Sequence, residues 1–327
     1  MNRREACIAM LPTLVSPRIL LAQVVGRMAR IGFLVEPALD APLQRAVVES
    51  LREGLRELGY IEGRNISIDF RSADGKYERL PALATELMLL KPDLLVTAYP
   101  TAALVAKDAT RTLPVVAVCV DNPVLMGLAA TFARPGGNFT GVGSWAHEIV
   151  SKRLQVMREL VPNARRLGIL FNPLAVVGGL DSPIVEWERT LGIPIQQYKS
   201  TSPDDFEGAF AAMARDGVGG LVVLADSNTY THRVRLNQLC LQRRMPSVWG
   251  GRDWLMGGAL ASYQSDFPHM FRRSATLIDK ILKGTKPGDI PFEQSNKLEL
   301  VIDTRAARAL GITVPKTLLL SADHVIE

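Results

Sequence analysis

The residues of this chain that could do chemistry follow its short apolar segments, where acids, amides, hydroxyl groups and aromatic rings recur. Three such groups lie in the first half of the chain: Glu36-Pro37, Ala98-Tyr99-Pro100-Thr101 and Asp121-Asn122-Pro123. Three more lie in the second half: Asn172-Pro173, Asp226-Ser227-Asn228 and Trp249-Gly250-Gly251-Arg252. These residue types suit the binding of a small polar molecule.

The predicted ligand-binding set combines carboxylates for an ammonium group, aromatic rings for apolar walls and polar groups for hydrogen bonds: Glu36, Asp121 and Asp226; Tyr99, Trp145 and Trp249; Thr101, Asn122, Asn172, Asn228 and Arg252. Where such a group begins a helix, free backbone N–H groups would also point towards the ligand, which suits a carboxylate or another small anion. The alternative is that Asp, Asn and Pro after a strand only cap helices and form turns, and for any single loop this alternative is favoured. Six loops that face one cleft together favour binding.

No catalytic motif accompanies this set. The histidines His147, His232, His269 and His324 are scattered, and none lies in an H-E-x-x-H pattern. Asp266 and His269 could share a metal ion, but without a further ligand nearby a surface pair is the better interpretation. Gly141-Val142-Gly143-Ser144 is neither a nucleophile elbow nor a dinucleotide fingerprint, and the sequence has no Walker motif. We therefore expect no enzyme, no metal site and no cofactor.

The elements that must position the candidate residues are predicted from apolar runs, namely Ile31–Val35, Ile66–Phe70, Leu94–Thr97, Val115–Val120, Leu167–Phe171, Ile195–Tyr198, Leu221–Leu224 and Ser247–Trp249. Their continuous apolar character indicates strands that are covered on both faces, as in a parallel sheet. Helical periodicity lies between them. The stretch from Pro42 to Leu58, for example, places one apolar face at Leu43, Val47, Leu51, Leu55 and Leu58. Alternating strands and helices predict βαβ units, in which ligands lie beyond the carboxyl ends of the strands.

The chain also begins the same pattern twice. Arg30-Ile31-Gly32-Phe33-Leu34 is similar to Arg166-Leu167-Gly168-Ile169-Leu170. Two further pairs follow in the same order: Asp93–Val96 with Gly220–Val223, and Leu113–Val116 with Met245–Val248. The offsets, 166 − 30 = 136, 220 − 93 = 127 and 245 − 113 = 132, are nearly constant. This favours two similar α/β lobes in tandem, with a cleft between them.

Composition excludes some classes of protein. At 327 residues the chain has the length of two domains, and its hydrophobic content of 47% is ordinary for a soluble protein. The net charge is +5, but five arginines and one glutamate give +4 in the first 30 residues, which leaves +1 for the rest. No basic stripe interleaved with aromatic residues follows, so we expect no nucleic-acid partner. Cys7, Cys119 and Cys240 match neither a metal pattern nor a disulfide framework.

The first residues have features of an export signal. Arg3-Arg4 precede a mostly apolar run from Cys7 to Leu21, and a twin arginine is typical of a Tat-type leader. Two prolines and an arginine interrupt the run, so a cytosolic N-terminal tail is the alternative. No uninterrupted apolar stretch reaches the ~20 residues of a transmembrane helix. We expect a soluble, periplasmic protein.

Longer motifs are similar to those of a known family. Leu51–Tyr60, continued by Glu62-Gly63-Arg64-Asn65-Ile66, resembles the signature of ABC-transporter substrate-binding proteins of the tryptophan/tyrosine-uptake type. Further similar segments are Arg79–Ala84, Ala133–Gly141, Lys152–Leu154, Glu159–Pro162, Asp279–Gly284, Pro287 and Leu298–Leu310. The chain departs from the family at Leu174–Leu180 and at Ala98-Tyr99-Pro100-Thr101, where members usually carry a glycine-rich loop.

The resemblance implies a type I periplasmic-binding-protein fold, in which two doubly wound parallel-sheet lobes are joined by a three-segment hinge. The expected division is a leader at 1–27, a first lobe at 28–145 plus 266–287, and a second lobe at 146–265 plus 288–327. The chain is expected to cross between the lobes near Val142 to His147, near Ser262 to Asp266 and near Pro287 to Glu293. The implied function is capture of a small ligand, an amino acid or a related carboxylate, followed by docking on a membrane permease whose ATPase drives import. We expect a monomer. The alternatives are a ligand sensor for a membrane receptor and a cytosolic α/β enzyme with an unrecognised site.

Overall fold

The computed structural model describes residues 28–144 and 146–327. The predicted leader at 1–27 and the candidate residue Trp145 lie outside the described residues. Within the described ranges the chain forms two sheets with helices packed on them, one in each of two α/β lobes.

In the described part of the chain, the sheet of the first lobe consists of β1 (Ala29–Val35), β2 (Ile66–Ser72), β3 (Leu94–Ala98), β4 (Val115–Val120), β5 (Phe139–Gly143) and β11 (Glu293–Gln294). Their order is β11-β5-β4-β3-β1-β2, and each neighbouring pair is parallel. Successive side chains of a strand point to opposite faces. Phe33 and Leu34 of β1 accordingly belong to different core clusters, and neither has any exposed surface.

The helices on this sheet are α1 (Pro42–Glu57), α2 (Leu80–Leu89), α3 (Pro100–Ala109) and α9 (Phe267–Leu282). α1 and α9 cover the face with Phe33, whereas α2 and α3 cover the face with Leu34. Gly54 allows α1 and α9 to pack closely, because a Cβ at this position would lie 2.5 Å from the carbonyl oxygen of Arg272. α9 therefore returns to the first lobe although it follows the second lobe in sequence.

The described strands of the second sheet are β6 (Leu167–Phe171), β7 (Ile195–Lys199), β8 (Gly220–Val223), β9 (Ser247–Trp249), β10 (Ala261–Ser265), β12 (Leu298–Asp303) and β13 (His324–Ile326). Their order is β13-β12-β10-β9-β8-β6-β7. β12 runs antiparallel to β10, while the other neighbouring pairs are parallel. The helices of this lobe are α4 (Ala146–Leu160), α5 (Asp181–Leu191), α6 (Asp205–Arg215), α7 (Ser227–Thr231), α8 (Arg233–Gln242), α10 (Thr304–Leu310) and α11 (Lys316–Ser321).

The repeated sequence segments occupy equivalent places in the two sheets. The order β4-β3-β1-β2 in the first sheet corresponds to β9-β8-β6-β7 in the second. The three similar segment pairs begin or precede β1 and β6, β3 and β8, and β4 and β9. The structure thus confirms that these segments are equivalent strands, and the loops after them have equivalent positions.

The chain passes between the lobes at three places within its described residues: from β5 to α4, from β10 to α9, and from β11 to β12. The last passage lies later than the predicted crossing near Pro287 to Glu293. Glu293 pairs with Val142 of β5, and Gln294 pairs with Gly143, so this segment completes the first sheet. The prediction that the second lobe resumes at residue 288 is therefore wrong for 293–294, because backbone pairing with β5 holds them in the first lobe.

Candidate ligand-binding site

Glu36 lies where β1 ends, on the first-lobe side of the cleft. Its side chain is buried, with 4% of its surface exposed. One carboxylate oxygen, Oε1, accepts a hydrogen bond of 3.2 Å from the backbone N–H of Ala102 in the first turn of α3. The first N–H groups of a helix have no partner within the helix, so a carboxylate at this position is stabilised. Glu36 therefore occupies the N-terminus of α3.

Asp226 has the equivalent role in the second lobe, where it is the N-cap of α7. Its Oδ1 accepts a hydrogen bond of 2.7 Å from the backbone N–H of Thr229, and its own N–H donates to the hydroxyl of Thr229 at 3.0 Å. These reciprocal bonds form a capping box. The second oxygen, Oδ2, is buried without a hydrogen-bond partner. Capping of α7 thus uses Oδ1 of Asp226 and leaves Oδ2 able to accept a further hydrogen bond.

The two carboxylates come from different lobes and are within electrostatic range of each other. Burial raises the pKa of Glu36 to about 7; hydrogen bonds from Thr101 and Ala102 oppose the rise, and the charge of Asp226 adds to it. Burial raises the pKa of Asp226 to about 6, against the hydrogen bonds at the start of α7. Within the described residues neither carboxylate forms an ion pair. A cation would relieve the cost of burying both charges.

Tyr99 and Gln44 form a polar contact beside Glu36. The side-chain amide of Gln44, at Nε2, donates to the Tyr99 hydroxyl at 2.6 Å. Gln44 is only 1% exposed, and its Oε1 is buried without a partner. The Tyr99 ring packs edge-on against Phe267, with centroids 5.9 Å apart. Burial raises the pKa of Tyr99, and the nearby charge of Glu36 contributes to the rise.

The backbone of Tyr99 has a conformation that suits the glycine-rich loop usual at this position in the resembling family. Tyr99 has φ 72° and ψ 165°, a region that is almost restricted to glycine. A side chain held in this region costs about 1–3 kcal/mol, and such strain clusters at ligand clamps. The hydrogen bond from Gln44 and the contact with Phe267 hold the ring in place.

Tyr77 contributes another hydroxyl to the same region. It lies in the short 3-10 helix Tyr77–Arg79 that follows β2. Its hydroxyl is buried and lies near Ser227, at the start of α7 in the second lobe. Burial raises the pKa of Tyr77, and the charges of Glu36 and Asp226 add to this, so the ring lies within range of both lobes' carboxylates.

The two lobes touch in this structure, so the cleft is closed. The backbone N–H of Leu43, in the first lobe, donates to the hydroxyl of Tyr230, in the second lobe, at 3.2 Å. Ala41 and Leu43 also pack against the apolar cluster around Tyr230. At another place Val177, from the second lobe, packs against the first-lobe cluster that contains Leu80. These contacts hold the lobe that carries Glu36 against the lobe that carries Asp226.

Three further predicted site residues lie where strands end or helices begin in the two lobes. Thr101 lies in the first turn of α3, close enough to Glu36 to lower the pKa of that carboxylate. Asn172 follows β6; its Oδ1 accepts a hydrogen bond of 3.0 Å from the N–H of Leu174, and its buried Nδ2 has no partner. Asn228 lies on α7 and donates from Nδ2 to the Ser200 hydroxyl at 3.4 Å. Asn172 thus keeps a free donor, whereas the Asn228 amide is engaged.

Asn122 has the role of a turn residue. Its Oδ1 accepts hydrogen bonds from the N–H groups of Val124 and Leu125, at 3.0 and 3.1 Å. Asp121 is half-buried just beyond β4. The alternative interpretation of post-strand polar residues therefore holds for Asn122.

The prediction that Trp249 forms a wall of the cleft is wrong. Trp249 has no exposed surface, belongs to the core of the second lobe, and donates from Nε1 to the Ser247 hydroxyl at 2.6 Å. Arg252 is exposed and lines a hollow of about 390 Å³ beside the hinge, together with Trp254, Gln264, Phe267 and Lys297. The indole of Trp249 points into the second lobe because β9 packs that face of the strand against the core.

Sequence reasoning missed Gln44 although a signal was present. Gln44 precedes Val47, Val48 and Leu51 by three, four and seven positions, so it lies on the apolar face of α1 and is buried with them. Leu58, which was predicted for that face, follows the helix and is 40% exposed. A polar residue on an apolar helical face is a candidate for a buried polar site.

Tyr77 and Tyr230 were also missed. Tyr77 follows β2, and the loop after this strand is not one of the six predicted binding loops. Tyr230 lies four residues after Asp226 and has 5% of its surface exposed. Because all parallel strands of a sheet end at one edge, the loop after β2 could have been included on the same argument.

Metal-binding clusters and membrane-spanning helices are both absent from the described residues. No group of three or more His, Cys, Asp and Glu residues within 28–144 and 146–327 is arranged to hold a metal ion. No helix in those ranges has the length and apolar character needed to cross a membrane.

Comparison with known proteins identifies the family. The family model described as ABC transporter substrate binding protein matches residues 32–326. The chain belongs to this family. Its members are substrate-binding proteins rather than enzymes.

Individual relatives of this substrate-binding protein are distant but extend over most of its length. A tyrosine-binding protein of Clostridioides difficile is 23% identical over 297 residues, which cover 90% of this chain and 82% of the relative. A conserved domain protein of Vibrio cholerae has a TM-score of 0.83 and 25% identity, over 91% of this chain and 100% of that one. An ABC domain from Streptococcus pneumonia, solved in complex with L-Trp, has a TM-score of 0.82 and 24% identity, over 91% and 99%. The predicted type I periplasmic-binding-protein fold is confirmed.

Proposed function

We propose that this chain is the solute receptor of an ABC importer and that it captures a small ligand bearing an ammonium group, such as an amino acid, between its lobes. The observation that carries the proposal is the buried, unpartnered Oδ2 of Asp226 within electrostatic range of the buried Glu36. An ammonium group has three donors and a positive charge, so it satisfies this oxygen and offsets both carboxylates.

The relatives support an amino-acid type of ligand. One is named as a tyrosine-binding protein, and another was solved with L-Trp. At 23% and 24% identity these proteins share the fold with this chain, and the choice of side chain does not transfer. All such ligands carry an ammonium group, and this is the group that the two carboxylates of the site would bind.

Ligand capture and lobe closure are coupled because the two carboxylates belong to different lobes. A ligand that binds Glu36 in the open form provides the charge that allows Asp226 to approach. Closure then forms the hydrogen bond between Leu43 and Tyr230. A ligand shifts the open–closed equilibrium by its difference in affinity for the two forms. The closed form would dock on a membrane permease, whose ATPase drives import, on the outer side of the cytoplasmic membrane.

The binding step is tested with Asp226→Asn. Asparagine is a good N-cap, so the variant keeps the start of α7 while it removes the charge. Purified protein is freed of co-purified ligand by unfolding and refolding, and the released compound is identified by mass spectrometry. Calorimetric titration of that compound should show that Asp226→Asn loses about 2–5 kcal/mol of binding free energy relative to wild type, the range for breaking a buried charge pair.

Asp216→Asn is the matched control for this experiment. Asp216 is a carboxylate of the same lobe that follows α6, at the opposite edge of the sheet, where it accepts a hydrogen bond from Tyr198. Its replacement should leave affinity unchanged. Equal affinity of wild type and Asp226→Asn would refute the assigned role of Asp226.

Delivery to a permease is tested separately. Cells that lack this protein should take up the identified compound more slowly, and the wild-type gene should restore the rate. Normal uptake in the deletion strain, with binding intact in vitro, would favour a sensor over a transport component.

A further inference from the structure

We propose that Tyr99 limits the size of the ligand, so that the interlobe site binds amino acids with short side chains and excludes aromatic ones. This inference rests on the proposed function as a solute receptor and names the ligand class of the same site.

The backbone at Tyr99 has a conformation that only glycine adopts without strain. Its φ of 72° and ψ of 165° lie in a region where a Cβ is unfavourable. The chain therefore carries one of its largest side chains at a position where the absence of a side chain would be least strained. Strain of this kind clusters at ligand clamps, so it points to a use for the ring.

The ring of Tyr99 lies beside the carboxylate of Glu36. Tyr99 follows β3, which pairs with β1, so Tyr99 and Glu36 leave neighbouring strands at the same edge of the sheet. Burial raises the pKa of Tyr99, and the nearby Glu36 and Tyr230 add to the rise. Tyr230 belongs to the second lobe, so the Tyr99 hydroxyl is within electrostatic range of both sides of the cleft. The ring thus takes up space next to Glu36 that a larger ligand would need.

Two contacts hold the ring in this position. Nε2 of Gln44 donates to the Tyr99 hydroxyl at 2.6 Å, and Gln44 is only 1% exposed. The ring also packs edge-on against Phe267, with centroids 5.9 Å apart. Movement of the ring out of the cleft would break both contacts and leave the buried amide of Gln44 without its acceptor, which is unfavourable. Tyr99 is therefore a fixed wall that does not move aside for a large ligand.

The second lobe leaves little room on its side of the cleft. The helix that Asp226 caps, α7, is held against the first lobe because the N–H of Leu43 donates to the Tyr230 hydroxyl at 3.2 Å. The Tyr77 hydroxyl, from the first lobe, lies near Ser227 at the start of the same helix. This hydroxyl and Oδ2 of Asp226 are both buried. Only a compact ligand therefore fits between the lobes in this closed form.

The polar groups of the cleft suit both charged ends of an amino acid. The buried Oδ2 of Asp226 can accept from an ammonium group, and the buried Nδ2 of Asn172 can donate to a carboxylate. Asn172 and Asp226 follow β6 and β8, which are neighbouring parallel strands. These groups bind the part that all amino acids share, and the ring of Tyr99 limits the side chain.

The test compares short and aromatic side chains by calorimetric titration. Glycine, alanine and serine are compared with phenylalanine, tyrosine and tryptophan. The tightest of the short amino acids should bind wild type at least tenfold more tightly than any aromatic one. This ratio should fall at least tenfold in Tyr99→Gly, because the space of the ring becomes free. Tyr99→Phe keeps the ring and is the matched control, so its ratio should equal that of wild type.

Each other outcome is decisive. Equal or tighter binding of an aromatic amino acid by wild type would overturn the inference and leave the receptor function standing. An unchanged ratio in Tyr99→Gly would also overturn it, even if all affinities fall. If only a co-purified compound binds, one larger than valine contradicts the inference and one no larger supports it. A complete absence of binding, by these compounds and by any co-purified one, would overturn both the inference and the proposed function.

The strain at Tyr99 is tested without a ligand. Tyr99→Gly and Tyr99→Ala both remove the ring, but only glycine removes the strain of the positive φ. The midpoint of urea unfolding should therefore be higher for Tyr99→Gly than for Tyr99→Ala. Alanine is the more stabilising of the two where φ is negative, so this order is specific to the strained backbone. An equal or lower midpoint for Tyr99→Gly would show that the fold does not retain the ring against strain.

Discussion

The substitution Glu36→Gln is expected to close the ligand-free protein at alkaline pH. In the closed form Glu36 is buried near Asp226, and its pKa is about 7 instead of the ordinary 4.5. In an open form, where water reaches the carboxylate, we expect a pKa near the ordinary value. Between these values the closed form holds the Glu36 proton and the open form does not. Closure of the empty protein therefore becomes less favourable as the pH rises from 4.5 to 7. Above pH 7 the free energy of closure no longer changes with the ionisation of Glu36.

The magnitude follows from the interval between the two pKa values. Each pH unit corresponds to about 1.4 kcal/mol, so the interval from 4.5 to about 7 gives at most roughly 3 kcal/mol. That is a factor of at most about 300 in the open–closed equilibrium. Asp226 adds a second contribution at lower pH, since its pKa is about 6. Glu36→Gln removes only the first contribution, so the difference between variant and wild type isolates Glu36.

Small-angle X-ray scattering measures this effect as the radius of gyration of ligand-free protein at pH 5 and pH 8. Wild type should expand between the two values, and Glu36→Gln should be more compact than wild type at pH 8 and equal to it at pH 5. Asp40→Asn, which changes the same charge at an exposed position, should behave as wild type. A radius that is independent of pH in wild type, or equal in all three proteins at pH 8, would refute the reasoning.

Other substitutions test the packing and the closed form. Gly141→Ala should lower the free energy of unfolding by at least about 2 kcal/mol in urea titrations, because its Cβ would lie 1.8 Å from the carbonyl oxygen of Ala117; unchanged stability would contradict the strand spacing. Tyr230→Phe loses the hydrogen bond from Leu43 and should speed ligand release about 2- to 10-fold in stopped-flow fluorescence, whereas an unchanged rate would argue that closure does not use it. Trp249→Phe should lower the free energy of unfolding by about 1–3 kcal/mol, because it loses the hydrogen bond from Nε1 to Ser247, while the ligand affinity measured by calorimetry stays constant. A weaker affinity would indicate that Trp249 contacts the ligand.

The strands that build the core were predictable because their apolar runs are continuous. Val115–Val120, Leu167–Phe171 and Ser247–Trp249 begin and end as predicted, and the other five predicted strands differ only at their ends. β10, Ala261–Ser265, was predicted only as a crossing, because its sequence Ala-Ser-Tyr-Gln-Ser is largely polar. Pairing with β9 and β12 makes it a strand, and such pairing depends on chain segments that are distant in sequence.

The candidate site residues also divide into those that local sequence predicts and those that it does not. Glu36, Thr101 and Asp226 were selected because residues after parallel strands meet at one edge of a sheet, and local sequence is enough for that inference. Gln44 was missed because a single glutamine in an amphipathic helix is usually on the polar side. Trp249 was misplaced because a three-residue strand does not show which of its two faces is the core.

By itself, the sequence determined the two-lobed α/β architecture, the family, and a list of polar groups at the strand ends. Those properties follow from local periodicity and from motifs that are contiguous in the chain. Only the tertiary structure decided that Glu36 and Asp226, 190 positions apart as 226 − 36, are both buried at the starts of helices and lie within electrostatic range of each other. The physical reason is that burial and electrostatic coupling depend on the approach of the two lobes, which local sequence does not encode.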